Sequence, residues 1–200
     1  MKTTLTLVRH GETDKNVGNK LHKAGDTEKL NEKGVEQVTK TAEILNQKGV
    51  DVVYCSKEAR SVQSADIIGD VCSCKVIELE DLNGRNFGIY ANKPWSEVSK
   101  VLEGLSLEER YTYVLENGES WKEFEKRLIK VIQDVLQKNE GKRVVIVTHG
   151  GSIRALMPYL LGVPKEESFK YDPANASITT FEYSNKSFTS IVVDDTSHLA

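Results

Sequence analysis

The stretch Leu5-Thr6-Leu7-Val8-Arg9-His10-Gly11-Glu12-Thr13 constrains this chain more than any other. It opens with an apolar run rich in β-formers, the pattern of a buried strand. The run stops abruptly at Arg9, His10 and Gly11. Ligands of open α/β sheets bind outside the carboxyl ends of the strands, so this strand delivers an arginine and a histidine to the binding end. Arginine carries a fixed fork of donors that matches a phosphoryl group. Histidine serves as base, acid or nucleophile near neutral pH. Gly11 is expected to let the backbone turn tightly and approach a bound group. The plain alternative is an exposed Arg-His pair after a strand.

The remaining chain alternates strands with helices. Residues 3–8 form the first strand, and 9–30 a polar loop long enough to suggest function. A helix follows from Leu30-Asn31-Glu32-Lys33-Gly34, with Val35, Val38, Ala42 and Leu45 at helical spacing and Gly49 as its stop. Residues 51–55 are a second strand. Ser56 is expected to cap the next helix, whose stripe is Ala59, Val62, Ala65 and Ile68. Residues 75–79 make a third strand and 80–93 a loop, and Pro94 suits a helix's first turn. Residues 95–117 are weakly helical. Ser120 caps a clear helix faced by Trp121, Phe124, Leu128, Val131 and Val135. Residues 143–147 form a strong buried strand ending in Thr148-His149-Gly150-Gly151. Ser152 is expected to cap a helix to Leu161, ended by Gly162 and Pro164. Residues 177–183 and 188–193 are two strands around a turn at Asn185. This order predicts a three-layer α/β/α sandwich, its central sheet mostly parallel with helices on both faces. With no repeat or linker, residues 1–200 are expected to form one domain.

Net charge is −3, so no polybasic surface for nucleic acid or an acidic membrane is implied. An anionic ligand must be met by a local cationic pocket. Cys55, Cys72 and Cys74 lack the CxxC spacing of redox or zinc motifs, and reduced structural cysteines are expected. No apolar run nears membrane-spanning length, and the cytoplasm is the expected compartment.

Two of the four histidines end strands in the same way, as His10-Gly11 and His149-Gly150. Arg9 joins the first. Arg60 lies one turn into the helix after the second strand, at the same sheet end if the strands are parallel. Two histidines and two arginines at one edge describe a phosphate pocket holding a nucleophile. A metal site is the competing reading, but adjacent arginines repel a cation.

Leu7-Val8-Arg9-His10-Gly11-Glu12-Thr13 with Asn16 resembles the signature of the histidine phosphatase superfamily, the phosphoglycerate mutase-like proteins. The resemblance continues in Leu30-Asn31-Glu32-Lys33-Gly34 with Gln37, in Ser56 with Arg60, and in Gly118-Glu119-Ser120. It also covers Val147-Thr148-His149-Gly150 with Ile153 and Arg154, Asn175-Ala176-Ser177-Ile178, and Asp195-Thr196-Ser197-His198-Leu199, the last typical of the small bacterial phosphatases. It implies a phosphomonoesterase acting on a small phosphorylated metabolite. His10 would be the nucleophile that forms a phosphohistidine, attacking as a neutral ring. Arg9, Arg60 and His149 would bind the phosphoryl oxygens, with Gly11, Asn16 and the Gly150 amide completing the cradle. No metal or organic cofactor is implied.

The sequence departs from the family pattern on the substrate side. Members usually carry a glutamate four residues before the glycine matching Gly88, as acid to the leaving group and base toward water. Gly84 stands there and cannot transfer a proton. The Gln-Gly element of the first loop is replaced by Leu21-His22-Lys23-Ala24-Gly25-Asp26. Glu119, Glu80 and Asp81 are candidate replacement acids, Glu119 preferred, with His22 behind them. A phosphoglycerate mutase is a second reading. A non-catalytic phospholigand-binding protein, following from the lost acid, is a third.

Overall fold

A computed structural model describes all 200 residues. Six strands form one sheet in the order β3-β2-β4-β1-β5-β6. Strands β1 (Thr3–Arg9), β2 (Val52–Cys55), β3 (Lys75–Glu78) and β4 (Arg143–Thr148) run parallel. Strands β5 (Ile178–Ser184) and β6 (Ser187–Asp195) complete the sheet as an antiparallel hairpin against β1. Asn185 and Lys186, both at positive φ, form its two-residue turn.

The sheet is covered on both faces. Alternate residues of a strand point to opposite sides, so each strand feeds two cores. Leu5, Leu7, Tyr54, Val144 and Ile146 pack with α6 (Trp121–Lys138) and α7 (Gly150–Leu161). Val8, Val53, Cys55, Val145 and Val147 pack with α2 (Glu32–Lys48) and α3 (Ala59–Cys72). Asn31 caps α2 and Ser120 caps α6 through a full capping box with Glu123. Trp121 and Phe124 are core residues on α6. The cysteines are free thiols, and burial pushes the Cys55 thiol up to about 12. No helix is long and apolar enough to cross a membrane.

Two expected caps are absent. Helix α3 begins at Ala59 with Glu58 at its N-cap position, because Ser56 turns its hydroxyl toward His149. His149 occupies the N-cap position of α7, so Ser152 lies inside the first turn, where its hydroxyl is buried without a partner.

The two long loops carry their own short helices, α1 (Asp14–Val17) in the first and α4 (Trp95–Leu102) and α5 (Leu107–Thr112) in the second. The loops are laced together, with the Leu21 amide donating to Lys93 and the Asn92 amide to Leu21. A small third core of Val98, Leu102 and Leu115, with Leu21 and Phe87 against it, holds this cap.

Candidate active site

The carboxyl ends of β1, β2 and β4 converge, and the parallel register explains why. Arg9 pairs with Thr148, and Cys55 with Val147, so the residues that follow each strand emerge at one level. His10 follows β1, His149 follows β4, and Arg60 enters from the start of α3. His10, Arg60 and His149 are 2%, 2% and 6% exposed.

One guanidinium touches both histidines. Arg60 Nε donates to His10 Nε2 at 3.2 Å, and Arg60 Nη2 lies 3.0 Å from His149 Nδ1. An arginine only donates, so both ring nitrogens accept. His10 Nδ1 is 2.7 Å from the Gly11 carbonyl and must carry the ring proton. That fixes Nε2 as a bare lone pair. Burial, reinforced by Arg60, His149 and Arg9, holds His10 well below its usual pKa, so the ring is neutral at pH 7. Arg9 Nη1 is anchored on the Pro173 carbonyl at 2.7 Å. Two donors remain without an acceptor although they are buried, Arg9 Nε and Arg60 Nη1. Orphaned buried donors cost free energy unless a ligand meets them. The first-turn amides of α7 also lack intrahelical acceptors and favour an anion.

The expected cradle is partly corrected. The Gly11 amide donates to Ser64 Oγ at 3.3 Å and is not free for a ligand. A β-carbon on Gly11 would lie 2.4 Å from the Gly34 carbonyl oxygen, and one on Gly34 would lie 2.2 Å from that of Glu12. The glycines serve this close contact between the loop and α2. Asn16 lies beside the site, its Oδ1 accepting from Thr13 and Asn175. Gly150 packs against Arg9; a β-carbon there would sit 3.3 Å from Arg9 Nε. Asn175 donates to the His10 carbonyl at 3.0 Å, and Arg154 Nε donates to the Tyr171 carbonyl, bracing the same loop. His198 joins Thr41 of α2 to the Ala176 carbonyl behind it.

The candidate acids are placed less favourably. Glu119 lines an open groove of about 750 Å³ with Gly84, Asn83, Asn86 and Arg127. One oxygen of its carboxylate accepts from both the Asn86 amide and Arg127 Nη2 at 2.8 Å. Glu80 is exposed and pairs with Lys57, and Asp81 is exposed. His22 lies edge-on to His10 with ring centroids 6.0 Å apart; its Nε2 hydrogen-bonds Thr13 Oγ1 at 3.1 Å and lies 2.8 Å from Glu28 Oε2. Burial, aided by Arg60, holds it neutral with a pKa of about 3.

Sequence reasoning missed Glu58. This carboxylate is 1% exposed, the most deeply buried acid in the chain. Its Oε2 lies 2.7 Å from His149 Nε2, 2.9 Å from Arg60 Nη2 and 3.1 Å from the Gly84 amide. Burial opposes its charge, but His149, Arg60 and the Gly84 amide together hold its pKa down at about 2. Burial also lowers His149, against the pull of Glu58. In the free protein the pair is therefore a carboxylate accepting from a neutral imidazole, whose Nε2 carries the proton. The available signal was a glutamate two residues before Arg60, at a position that reads as the entry to an amphipathic helix.

A mostly parallel sheet that brings two histidines and two arginines to one carboxyl edge is suited to an anionic group. The model of the histidine phosphatase superfamily (branch 1) matches residues 5–196, and the chain belongs to that superfamily. It is 32% identical over 204 residues to a metal-independent phosphoserine phosphatase of Arabidopsis thaliana, covering 99% of this chain and 84% of the relative. It is 28% identical over 184 residues to a probable phosphoglycerate mutase GpmB of Enterobacter sp. (strain 638), covering 88% and 83%. Bacillus stearothermophilus YhfR superposes with a TM-score of 0.88 at 25% identity, covering 99% of this chain and all of that one. These relatives support an enzyme of the phosphatase and mutase type.

Proposed function

We propose that the protein is a phosphomonoesterase that hydrolyses a small phosphorylated metabolite through a phosphohistidine on His10. The observation that carries this reading is the pairing of a fixed His10 Nε2 lone pair with two unsatisfied buried guanidinium donors on Arg9 and Arg60. A phosphoryl group would satisfy those donors and be held for in-line attack. His10 Nε2 attacks phosphorus while the P–O bond to the leaving group breaks. Arg9, Arg60 and His149 meet the charge on the equatorial oxygens, and Asn16 and the α7 amides close the cradle. Water then attacks the phosphohistidine and frees His10. The cationic side chains supply the field that a metal provides elsewhere, so the reaction is expected to be metal-independent.

The test is acid-quenched single turnover with phosphate-labelled substrate. Label is expected on His10 as an acid-labile adduct, absent in His10→Ala. Turnover without such an adduct would refute the reading. The mutase reading draws on the probable mutase among the relatives. Interconversion of phosphoglycerate isomers that depends on a bisphosphate primer would establish it in place of hydrolysis.

A further inference from the structure

The family resemblance implies an acid at position 84, where this chain has glycine, and a carboxylate from another segment lies beside that position. A β-carbon built on Gly84 would lie 3.4 Å from Glu58 Oε2, 3.4 Å from His149 Cγ and 3.5 Å from His149 Cδ2. The Gly84 amide itself donates to Glu58. Glu58 enters from the β2–α3 connection, so its carboxylate approaches from behind the His149 ring. The other charged or titratable groups facing this pair are Arg60, His10 and Arg9, with His22 beyond them and Asp26 and Glu28 acting on Arg60.

We propose that Glu58 and His149 form a proton-holding dyad that replaces the missing glutamate at position 84, with Glu58 as the positioning residue and His149 as the group that exchanges the proton. Glu58 Oε2 and Ser56 Oγ both lie against Nε2, at 2.7 and 2.9 Å, which leaves Nδ1 on the side of Arg60 and His10. In the free protein Nδ1 accepts from Arg60. An incoming phosphate monoester draws that guanidinium to its own oxygens and adds negative charge. His149 then takes up a proton from solvent at Nδ1, and the imidazolium is stabilised by the carboxylate behind it. As the bond from His10 Nε2 to phosphorus forms and the P–O bond breaks, His149 leaves the equatorial oxygens to Arg9 and Arg60 and its Nδ1 proton passes to the leaving oxygen, releasing the alcohol. In the second half, water gives one proton back to Nδ1 while its oxygen bonds phosphorus and the P–N bond breaks. Inorganic phosphate leaves, Nδ1 returns its proton to solvent, and the neutral ring again accepts from Arg60.

This inference rests on the phosphohistidine reading, and the tests separate the two. Glu58→Gln keeps the shape but cannot stabilise an imidazolium. It is expected to lower kcat/KM on an alkyl phosphate by about 10²–10⁴-fold and on 4-nitrophenyl phosphate far less. Gly84→Glu added to Glu58→Gln is expected to recover much of the alkyl activity. The ring-nitrogen NMR signals of His149 in the phosphate-bound protein are expected to titrate at higher pH in the native chain than in Glu58→Gln. Equal losses on both substrates, or no loss on either, would overturn the proposal, as would an unshifted His149 titration. If Glu58→Gln does not fold, the native protein decides. Its kcat/KM is expected to depend weakly on leaving-group pKa, and a steep dependence overturns the dyad. Activity that survives His10→Ala would instead bring down the phosphohistidine reading itself.

Discussion

The two ends of the active-site cleft are built by different means. At the phosphate end, every functional side chain sits at the end of a central strand or the start of the helix after it. Strand register, backbone bonds and two hydrophobic cores fix those positions. At the leaving-group end, the walls come from residues 18–29 and 84–117. These are loops with short helices, laced to each other by a few backbone bonds and a core of three buried residues. The first end is rigid and chemically committed. The second can change its residues without disturbing the sheet, which is where substrate choice is expected to lie.

That contrast is broken most directly at His10. His10→Ala is expected to lower turnover by about 10⁴-fold or more, by analogy with removal of other nucleophiles. Residual activity close to native would show that the strand end does not carry the chemistry. Arg60→Ala comes next, at about 10²–10³-fold in kcat, because it removes donors to the phosphoryl oxygens. It also leaves Glu58 buried without its partner, so a thermal melt should be recorded beside the kinetics.

Changes in the cap should behave differently. Arg127→Ala frees Glu119 and the carbonyls of Asp81 and Asn83 that it holds. The expected outcome is a KM change of about 3–10-fold that varies among substrates, with kcat on 4-nitrophenyl phosphate little altered, the pattern of lost uniform binding. A uniform collapse of kcat would place Arg127 with the chemistry and blur the division.

A smaller effect concerns pH. His22 is held neutral with a pKa of about 3, first by burial and then by Arg60. The unfolded chain takes up that proton near pH 6.5 and the folded chain does not. Stability is therefore full above pH 6.5 and falls as pH drops from there toward 3, by about 2 kcal/mol at pH 5 from this residue. His22→Asn is expected to reduce the difference in Tm between pH 7.5 and pH 5. An unchanged difference would show that the first loop does not bury His22 in solution. The smallest effect is none at all. Treatment with EDTA is expected to leave kcat/KM unchanged, and a strict need for added zinc or magnesium would overturn the purely cationic pocket.

Most of the sandwich was legible in the sequence because its strands and helices announce themselves by period. The apolar run into Arg9-His10 and its echo at Thr148-His149 marked two strand ends that the parallel register brings side by side. The cap at Ser56 was misread because local preference yields when a tertiary partner competes, and His149 claims its hydroxyl; the cap at Ser152 was misread because α7 begins earlier, directly after His149, which leaves Ser152 inside the first turn. Glu58 was invisible for a related reason. A glutamate before a helix looks solvated, and only the folded arrangement of β2, β4 and the Gly84 loop shows it buried against an arginine and a histidine. Glu119 looked available because no sequence pattern places Arg127 against it.

The glycine contact behind His10 carries a consequence for how such chains diverge. Gly11 and Gly34 meet backbone to backbone, and neither spends its contact on a ligand. A descendant that abandoned catalysis could exchange His10 or Arg60 and still fold, but it could not exchange either glycine without separating the loop from α2. A glycine after the histidine is thus a marker of architecture. Pseudoenzymes of this lineage should be sought by intact glycines beside altered histidines.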